Sequence, residues 1–302
     1  MAQPDPPLEP HRLFIGMPVY NGASGVGRAI THLLEQSFQD FTLVVSDNGS
    51  TDDTPQIAES FTQRDPRVHL IREETNRGPT WNFNRLLDKA AGHEFFMWAA
   101  HDDHHAPEFL SRCIEQLARR PSVAVCGVRS QFVDASGRLT GATDWGVTTT
   151  SARPIDRALQ YVHEAGPNSI FYGVLRTERI GALRIMNRLG GDQAFLMALS
   201  LTSELVTLPD VLMTRRLGGA SRSPRAMYNV LGVTPMLWAR VYHLDMYQAF
   251  LDVADTAEAL TPEERRLLRR ELIKLGIRKH VLGAVARRLG FGRPPPGRNY
   301  LI

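Results

Sequence analysis

The chain has 302 residues, a formal net charge of +3, and 43% hydrophobic and 22% charged residues, which is ordinary for a soluble globular protein. Its two cysteines, Cys113 and Cys126, are too few for a disulfide framework or for a zinc site of their own, so a reducing cytoplasm is expected. We find no signal peptide and no apolar run of about 18 residues that would span a membrane, and we expect no nucleic-acid partner.

Strands and helices are predicted to alternate along the first half of the chain. Residues 1–11 are proline-rich and are predicted to form a disordered tail. Ser50 or Thr51 is expected to cap the second helix, with Asp52 and Asp53 in its first turn. The alternation predicts a parallel sheet with helices on both faces. The predicted strands are 13–17, 41–45, 68–71, 95–99 and 123–127, and the other helices are 23–36, a helix from 79 to about 91, and 107–119.

The stretch 94–108, EFFMWAAHDDHHAPE, is the most informative part of the chain. Its apolar run is typical of a buried parallel strand, and the run ends on Asp102 and Asp103, which three histidines flank. Two adjacent carboxylates at a strand tip suit a hard divalent cation that carries phosphates. The other junctions from strand to helix are also polar, and parallel strands place all of them at one edge of the sheet, which predicts one shared cleft. These junctions are Tyr20-Asn21, Asp47-Asn48 and Asn76-Arg77.

The second half of the chain has a weaker pattern. A hairpin is predicted at 131–133 and 139–140, helices at 154–164 and 193–201, and short strands at 204–208 and 211–215. From 235 to about 289 the sequence is mostly helical, with a new helix start at Thr261-Pro262.

The C-terminal region is basic, because residues 256–302 contain eleven Lys or Arg and four Asp or Glu. In segment 278–290 four apolar residues share one helical face beside basic residues. One interpretation is a helix that lies on an anionic membrane surface, at the inner face of the cytoplasmic membrane. The other interpretation is a packed helix whose basic face is solvated. The apolar residues are Val281, Leu282, Val285 and Leu289.

Six motifs, taken in order, resemble those of the family 2 glycosyltransferases with the GT-A fold, over roughly residues 12–217. The resemblance implies an α/β fold with a Rossmann-like, mostly parallel sheet flanked by helices, and a helical C-terminal extension. The implied division is a tail at 1–11, a GT-A domain at 12–220 and a helical region at 221–302. The motifs are Pro18-Val19-Tyr20-Asn21, the segment from Asp47 to Thr54, Asn76-Arg77-Gly78, Asn84, Asp102-Asp103, and Gly191-Asp192 ahead of a helix.

The resemblance also implies a reaction. A sugar would pass from a nucleoside-diphosphate sugar, with UDP or dTDP favoured, to a hydroxyl of a glycan, a lipid-linked acceptor or a small molecule, with inversion. Asp102 and Asp103 would bind the ribose and a divalent cation, Mn²⁺ or Mg²⁺, and Asp192 would be the general base. The nucleotide-binding residues would be Pro18, Tyr20, Asn21, Asp47, Asn76, Arg77, Gly78 and Asn84, with Asp47 at the edge of the pyrimidine base.

Two departures from the family pattern keep alternatives open. In one register the first Asp of the usual metal motif falls at Ala100, so the sequence does not decide whether Asp102 or Asp103 binds the metal. Gly218 follows Arg215-Arg216-Leu217, where many relatives have a histidine. The alternatives are a sugar nucleotidyltransferase, although loop 18–22 lacks the basic residue that it usually needs, and a non-catalytic nucleotide- or glycan-binding protein.

Two other kinds of site are disfavoured. A zinc site at His101, His104 and His105 would need adjacent residues to face one ion. A dinucleotide fingerprint at 22–27 begins too late after the first strand, and position 30 is Ile rather than Gly or Ala.

Overall fold

The computed structural model describes residues 11–164, 166–217, 224–232 and 242–277. Four strands in its first half pair in parallel, in the spatial order β3-β2-β1-β4. These strands are β1 (Leu13–Val19), β2 (Phe41–Asp47), β3 (Val68–Arg72) and β4 (Phe95–Trp98). The helices that connect or follow them are α1 (Val26–Leu34), α2 (Thr54–Thr62), α3 (Pro79–Lys89) and α4 (Phe109–Arg119).

The sheet continues beyond β4 with strands from the second half of the chain. These are β5 (His104–His105), β6 (Val123–Val133), β7 (Leu139–Asp144), β8 (Val174–Arg176) and β9 (Glu204–Arg216). The short strand β8 is antiparallel to both β4 and β6, while β9 is parallel to β6. At the far edge of the sheet β5 pairs antiparallel with β9. The segment that follows β4 is therefore held against the last strand of the chain that the structure describes.

Helices cover both faces of this sheet. Residues such as Phe14, Phe96 and Trp98 point to the face where the later helices pack, and Ile15 and Met97 point to the face with α1 and α4. Strands buried on both faces are apolar throughout, which explains the continuous runs in the sequence. The later helices are α5 (Pro154–Glu164), the short α6 (Thr177–Ile180), α7 (Gly191–Thr202), α8 (Pro224–Leu231), α9 (Tyr242–Thr256) and α10 (Pro262–Gly276), with a 3₁₀ turn at Ser169–Tyr172.

Most predicted elements are present, and the differences have physical causes. Helix α2 begins at Thr54, so Asp52 and Asp53 precede it and the predicted cap at Ser50 or Thr51 is wrong. Asp52 instead accepts hydrogen bonds from the backbone N–H groups of Ala23 and Thr54. The two strands predicted at 204–208 and 211–215 are one strand, β9, whose pairing with β6 shifts register at Pro209, which has no N–H to donate.

Several predictions concern residues beyond the described ranges. The tail at 1–10, most of the segment 217–241 and the basic segment 278–290 lie outside them, so those predictions stay untested. No helix in the ranges that the structure describes is long and apolar enough to cross a membrane.

Candidate functional site

The site lies at the carboxyl edge of the sheet, where β1 neighbours both β2 and β4. From β1 the chain proceeds to β2 and β3 on one side and then returns to β4 on the other, which makes this the switch point where open α/β sheets bind ligands. Pro18 lies near the end of β1, Tyr20 follows it with 45% of its surface exposed, and Asp102 follows β4.

Asparagine side chains join the loops at this edge. Asn21 adopts a left-handed backbone with φ of 52°, its N–H donates to Ser50 Oγ over 2.8 Å, and its Oδ1 accepts from Thr51 N over 2.9 Å. Asn48 Nδ2 donates to Asn76 Oδ1 over 2.9 Å and to the Gly78 carbonyl over 3.1 Å. The loops after β1, β2 and β3 therefore form one continuous polar surface.

Asp47 is completely buried at the end of β2. Its Oδ1 accepts a hydrogen bond from Ser50 N over 3.2 Å, and its Oδ2 lies 3.3 Å from Arg72 Nε. The contact with Arg72 lacks hydrogen-bond geometry, and Oδ2 has no hydrogen-bond partner in the described protein. Asp47 Oδ2 is thus a buried carboxylate oxygen in contact with Arg72 that accepts no hydrogen bond within the described chain, and its role as a nucleotide contact stays a prediction.

The two adjacent carboxylates have different surroundings. Asp102 is half-buried and accepts no hydrogen bond from any residue within the described ranges. Asp103 is 5% exposed, its Oδ1 accepts from Arg216 N over 3.3 Å, and its Oδ2 lies 3.5 Å from Arg215 Nε. Burial raises the pKa of Asp103 to about 6, although the charge of Arg215 acts in the opposite direction.

A cavity of about 110 Å³ lies beside these carboxylates, lined among others by Arg28, His32 and Arg216. The N-terminus of α1 packs directly below them, because a Cβ at Gly25 would lie 2.6 Å from the carbonyl oxygen of His101. The residues after Asp103 are held by the antiparallel pairing of β5 with β9, in which His104 lies opposite Thr214.

The histidines of this segment do not form a metal centre. The rings of His104 and His32 are 4.1 Å apart, while His105 is buried against Phe109. Burial lowers the pKa of His105 to about 3, so this ring is neutral. Within the described ranges no three His, Cys, Asp or Glu side chains are placed to hold a metal ion, which gives no support to a zinc site.

Asp192 lies in the first turn of α7, behind Gly190, whose φ is 74°. Its Oδ2 accepts a hydrogen bond from Asn168 Nδ2 over 2.8 Å. Arg215 connects Asn168 to the carboxylate pair. Its Nη1 donates to the carbonyl of Pro167, the residue before Asn168, over 2.9 Å, and its Nε lies 3.5 Å from Asp103. Burial raises the pKa of Tyr172; the charge of Arg215 opposes this shift, and those of Asp103, Asp192 and Asp102 add to it.

Two further predicted nucleotide-binding residues, Asn84 and Arg77, also contact other residues of the protein. Asn84 makes two hydrogen bonds of 2.9 Å with the backbone of Ile185. The guanidinium of Arg77 lies 4.0 Å from the ring of Trp81. Sequence reasoning missed Asn168, for which the only signal was an Asn after Pro167, a pair typical of turns.

Comparison with known proteins identifies the family of the chain. The profile described as glycosyl transferase family 2 matches residues 14–175, more than half of the chain, and the chain belongs to this family. It is 32% identical over 121 residues to an uncharacterized glycosyltransferase of Haemophilus influenzae, covering 40% of this chain and 48% of that protein. It is 30% identical over 110 residues to the GalNAc(5)-diNAcBac-PP-undecaprenol beta-1,3-glucosyltransferase of Campylobacter jejuni, covering 36% of this chain and 34% of that one.

The chain thus spans less than half the length of either relative. Among solved structures, S. aureus TarS 1-349 in complex with UDP is similar with a TM-score of 0.62 at 19% identity, covering 88% of this chain and 72% of that chain. This likeness concerns the fold, which is GT-A. The predicted family and fold class are therefore confirmed.

Proposed function

We propose that the protein transfers a sugar from a nucleoside-diphosphate sugar, with UDP or dTDP favoured, to an acceptor hydroxyl with inversion at the anomeric carbon. The observation that carries this proposal is the set of contacts that links the carboxylates beside the loops after β1 and β2: Arg215 lies 3.5 Å from Asp103 and donates to the carbonyl of Pro167, and the next residue, Asn168, donates to Asp192. Family membership supports the reaction class. The UDP complex of TarS and the undecaprenol-linked glycan in the name of the Campylobacter relative support a uridine nucleotide and a lipid-linked acceptor.

Asp47 recognises the base in this proposal. Its Oδ2 accepts no hydrogen bond within the described chain and can accept one from the imide N–H of a uracil or thymine ring. A cytosine or adenine ring presents no N–H at the corresponding ring nitrogen. Tyr20 is exposed at the same edge and can lie against the face of the base. Pro18, Asn21, Asn76, Arg77, Gly78 and Asn84 remain predicted contacts of the nucleotide.

Asp102 and Asp103 would hold a divalent cation, Mn²⁺ or Mg²⁺. The residues fit such an ion, because within the described chain neither Asp102 nor Asp103 Oδ2 accepts a hydrogen bond, and Mg²⁺ commonly binds one or two carboxylates with substrate phosphates. When bound, the cation would supply charge stabilisation at the departing diphosphate. Asp102 is the more accessible of the two carboxylates, and Arg215 already balances part of the charge on Asp103. Unchanged activity in excess EDTA would refute the metal assignment.

Asp192 acts as the general base. It takes the proton of the acceptor hydroxyl while that oxygen attacks the anomeric carbon from the face opposite the departing diphosphate. Asp192 lies in the first turn of α7, where a carboxylate interacts favourably with the helix dipole.

The test is the variant Asp192→Asn, which retains the shape of the side chain but cannot accept the proton. We expect it to bind the donor normally and to lose about 10²–10⁴ in transfer rate. The nucleotide sugar is first chosen by thermal shift from a panel of UDP-, dTDP- and GDP-sugars, and the products are then identified. Release of pyrophosphate would indicate a nucleotidyltransferase instead, and absence of turnover in the parent would indicate a binding protein.

We also propose peripheral contact with an anionic membrane. The outward face of α10 exposes Leu267, Ile273 and Ile277 among several basic side chains, a composition suited to the headgroup region of a bilayer. The basic segment 278–290, on which the sequence prediction rested, lies outside the described residues.

A further inference from the structure

A buried asparagine joins Asp192 to a buried tyrosine. Asn168 is 7% exposed, and its Nδ2 donates to Asp192 Oδ2 over 2.8 Å. Its Oδ1 accepts from the hydroxyl of Tyr161, a completely buried residue of α5, over 2.9 Å. We infer that Asn168 is a positioning residue, which holds the carboxylate of Asp192 in the orientation that removes the acceptor proton. This inference rests on the proposed function, because it requires Asp192 to be the base.

The tyrosine decides which end of the Asn168 amide faces Asp192. Burial, with smaller contributions from the charges of Asp192 and Asp144, raises the pKa of Tyr161 well above its usual value, so the hydroxyl keeps its proton. In the described chain that proton has one acceptor, Asn168 Oδ1. A reversed amide would leave the buried O–H without an acceptor and would set the amide oxygen against the carboxylate. Nδ2 therefore faces Asp192 whenever the carboxylate is ionised.

The backbone at Asn168 is suited to this role and is held on both sides. Its φ of 62° and ψ of 34° lie in the left-handed region, which Asn tolerates better than most residues. On one side Ser169 N donates to Asp144 Oδ2 over 2.8 Å, and on the other Arg215 holds the carbonyl of Pro167. Since Arg215 also contacts Asp103, the position of the carboxylate pair is coupled to that of Asn168.

The contact leaves Asp192 with one oxygen held and one oxygen available. Oδ2 accepts from Asn168, while Oδ1 accepts no hydrogen bond from the residues that the structure describes. A neutral amide donor restrains the rotation of the carboxylate without adding a charge that would compete with the substrate. A carboxylate restrained in this way needs less reorganisation when the acceptor hydroxyl arrives.

The experiment compares Asn168→Gly and Asn168→Asp with the parent protein. Glycine adopts the same positive φ without strain and removes the amide, and aspartate retains the shape but replaces the donor by an acceptor. UDP release from the UDP-sugar chosen by thermal shift, with water as acceptor, should fall by about 10² in kcat for both variants. The affinity for UDP by calorimetry should not change. The acid side of the rate–pH profile should move to higher pH, because a donor that favours the ionised carboxylate has been lost.

Two further variants make each outcome decisive. Parental kcat and an unchanged pH profile in folded Asn168→Gly would overturn the inference. If Asn168→Gly fails to fold, Tyr161→Phe takes its place, since it removes one hydroxyl and frees the amide to turn, and a parental rate and pH profile there would also overturn it. Asp192→Asn separates the two proposals: if it loses activity while Asn168→Gly does not, only this inference fails, and if it keeps full activity, the proposed base fails as well.

Discussion

Two carboxylates at this site have a buried oxygen that lies beside an arginine but accepts no hydrogen bond within the described chain. Oδ2 of Asp47 and Oδ2 of Asp103 are both buried, and neither has a hydrogen-bond partner in the described chain. Elsewhere in a protein such atoms would lower stability by about 1–3 kcal/mol each. In the proposed function, a nucleotide bound at Asp47 and a cation bound at Asp103 would offset this cost.

Replacing Asp47 by Ala should weaken UDP binding by about 1–3 kcal/mol, since the imide N–H of the base would lose its partner. Titration calorimetry with UDP measures this change directly. Asp53→Ala is the matched control, because Asp53 is an exposed carboxylate of the same loop and should leave the affinity unchanged. Equal affinities in the parent and Asp47→Ala would remove Asp47 from the base-binding site.

His105 should make the folded state sensitive to acid. Burial, together with the charges of His104, His32 and Arg215, lowers its pKa to about 3. As pH falls below about 6.5, this ring is therefore protonated in the unfolded chain but stays neutral in the native protein. The free energy of unfolding should decrease by up to about 1.4 kcal/mol for each pH unit below that value, down to the native pKa.

His105→Leu should remove this dependence. The variant is compared with the parent by urea unfolding at pH 7.5, 6 and 5, and the difference in stability should shift in favour of the variant as pH falls. The difference is needed because the raised pKa of Asp103, at about 6, acts in the opposite sense and makes the native state less stable as pH rises. A difference that is constant across these pH values would contradict the prediction.

At the scale of whole elements, the sequence was most informative where strands are buried on both faces. Strands β1 to β4 were predicted to within two residues at each end, because each is rich in apolar or β-branched residues and is followed by polar residues. Strand β5 has two residues, too few for any periodicity, and it exists only because β9 pairs with it. Asp192 was predicted immediately ahead of a helix at 193–201 and lies in the first turn of α7, and its contact with Asn168 depends on packing between segments 24 residues apart in the chain.

The start of α7 offers a test of how closely function depends on helix placement. A Cβ at Gly191 would lie 2.2 Å from the carbonyl oxygen of Met186, so Gly191→Ala must displace the backbone that carries Asp192. We expect a loss of about 1–3 kcal/mol in stability and a lower kcat in the folded variant. Gly181→Ala is the control, because Gly181 has a φ of 53° but no neighbour within 4 Å. It should lose about 1–2 kcal/mol of stability with parental kcat.

For the whole molecule, the distribution of charge predicts where a membrane would bind. Arg266, Arg270 and Lys274 lie on the exposed side of α10 with Leu267, Ile273 and Ile277, although each cation has an acidic neighbour on the same helix. The full chain should sediment with anionic liposomes and not with neutral ones, and added salt should weaken the binding. Replacing the three cations by Gln should reduce sedimentation, whereas Arg119→Gln on α4 should not. Equal sedimentation of all proteins would exclude α10 as the contact.

The contact between Asp103 and Arg215 also limits where two members of the family can be joined to make a chimera. It links the segment after β4 to the end of β9, and the same arginine holds the loop that carries Asn168. In a chimera, residues up to the segment after β4 could come from one parent and β9 from another. Asp103 and Arg215 would then come from different parents, and a buried charge could be left unmatched. Crossover points that keep residues 103 and 215 from the same parent should therefore give folded hybrids more often, as the yield of cooperatively unfolding protein across a chimera library would show.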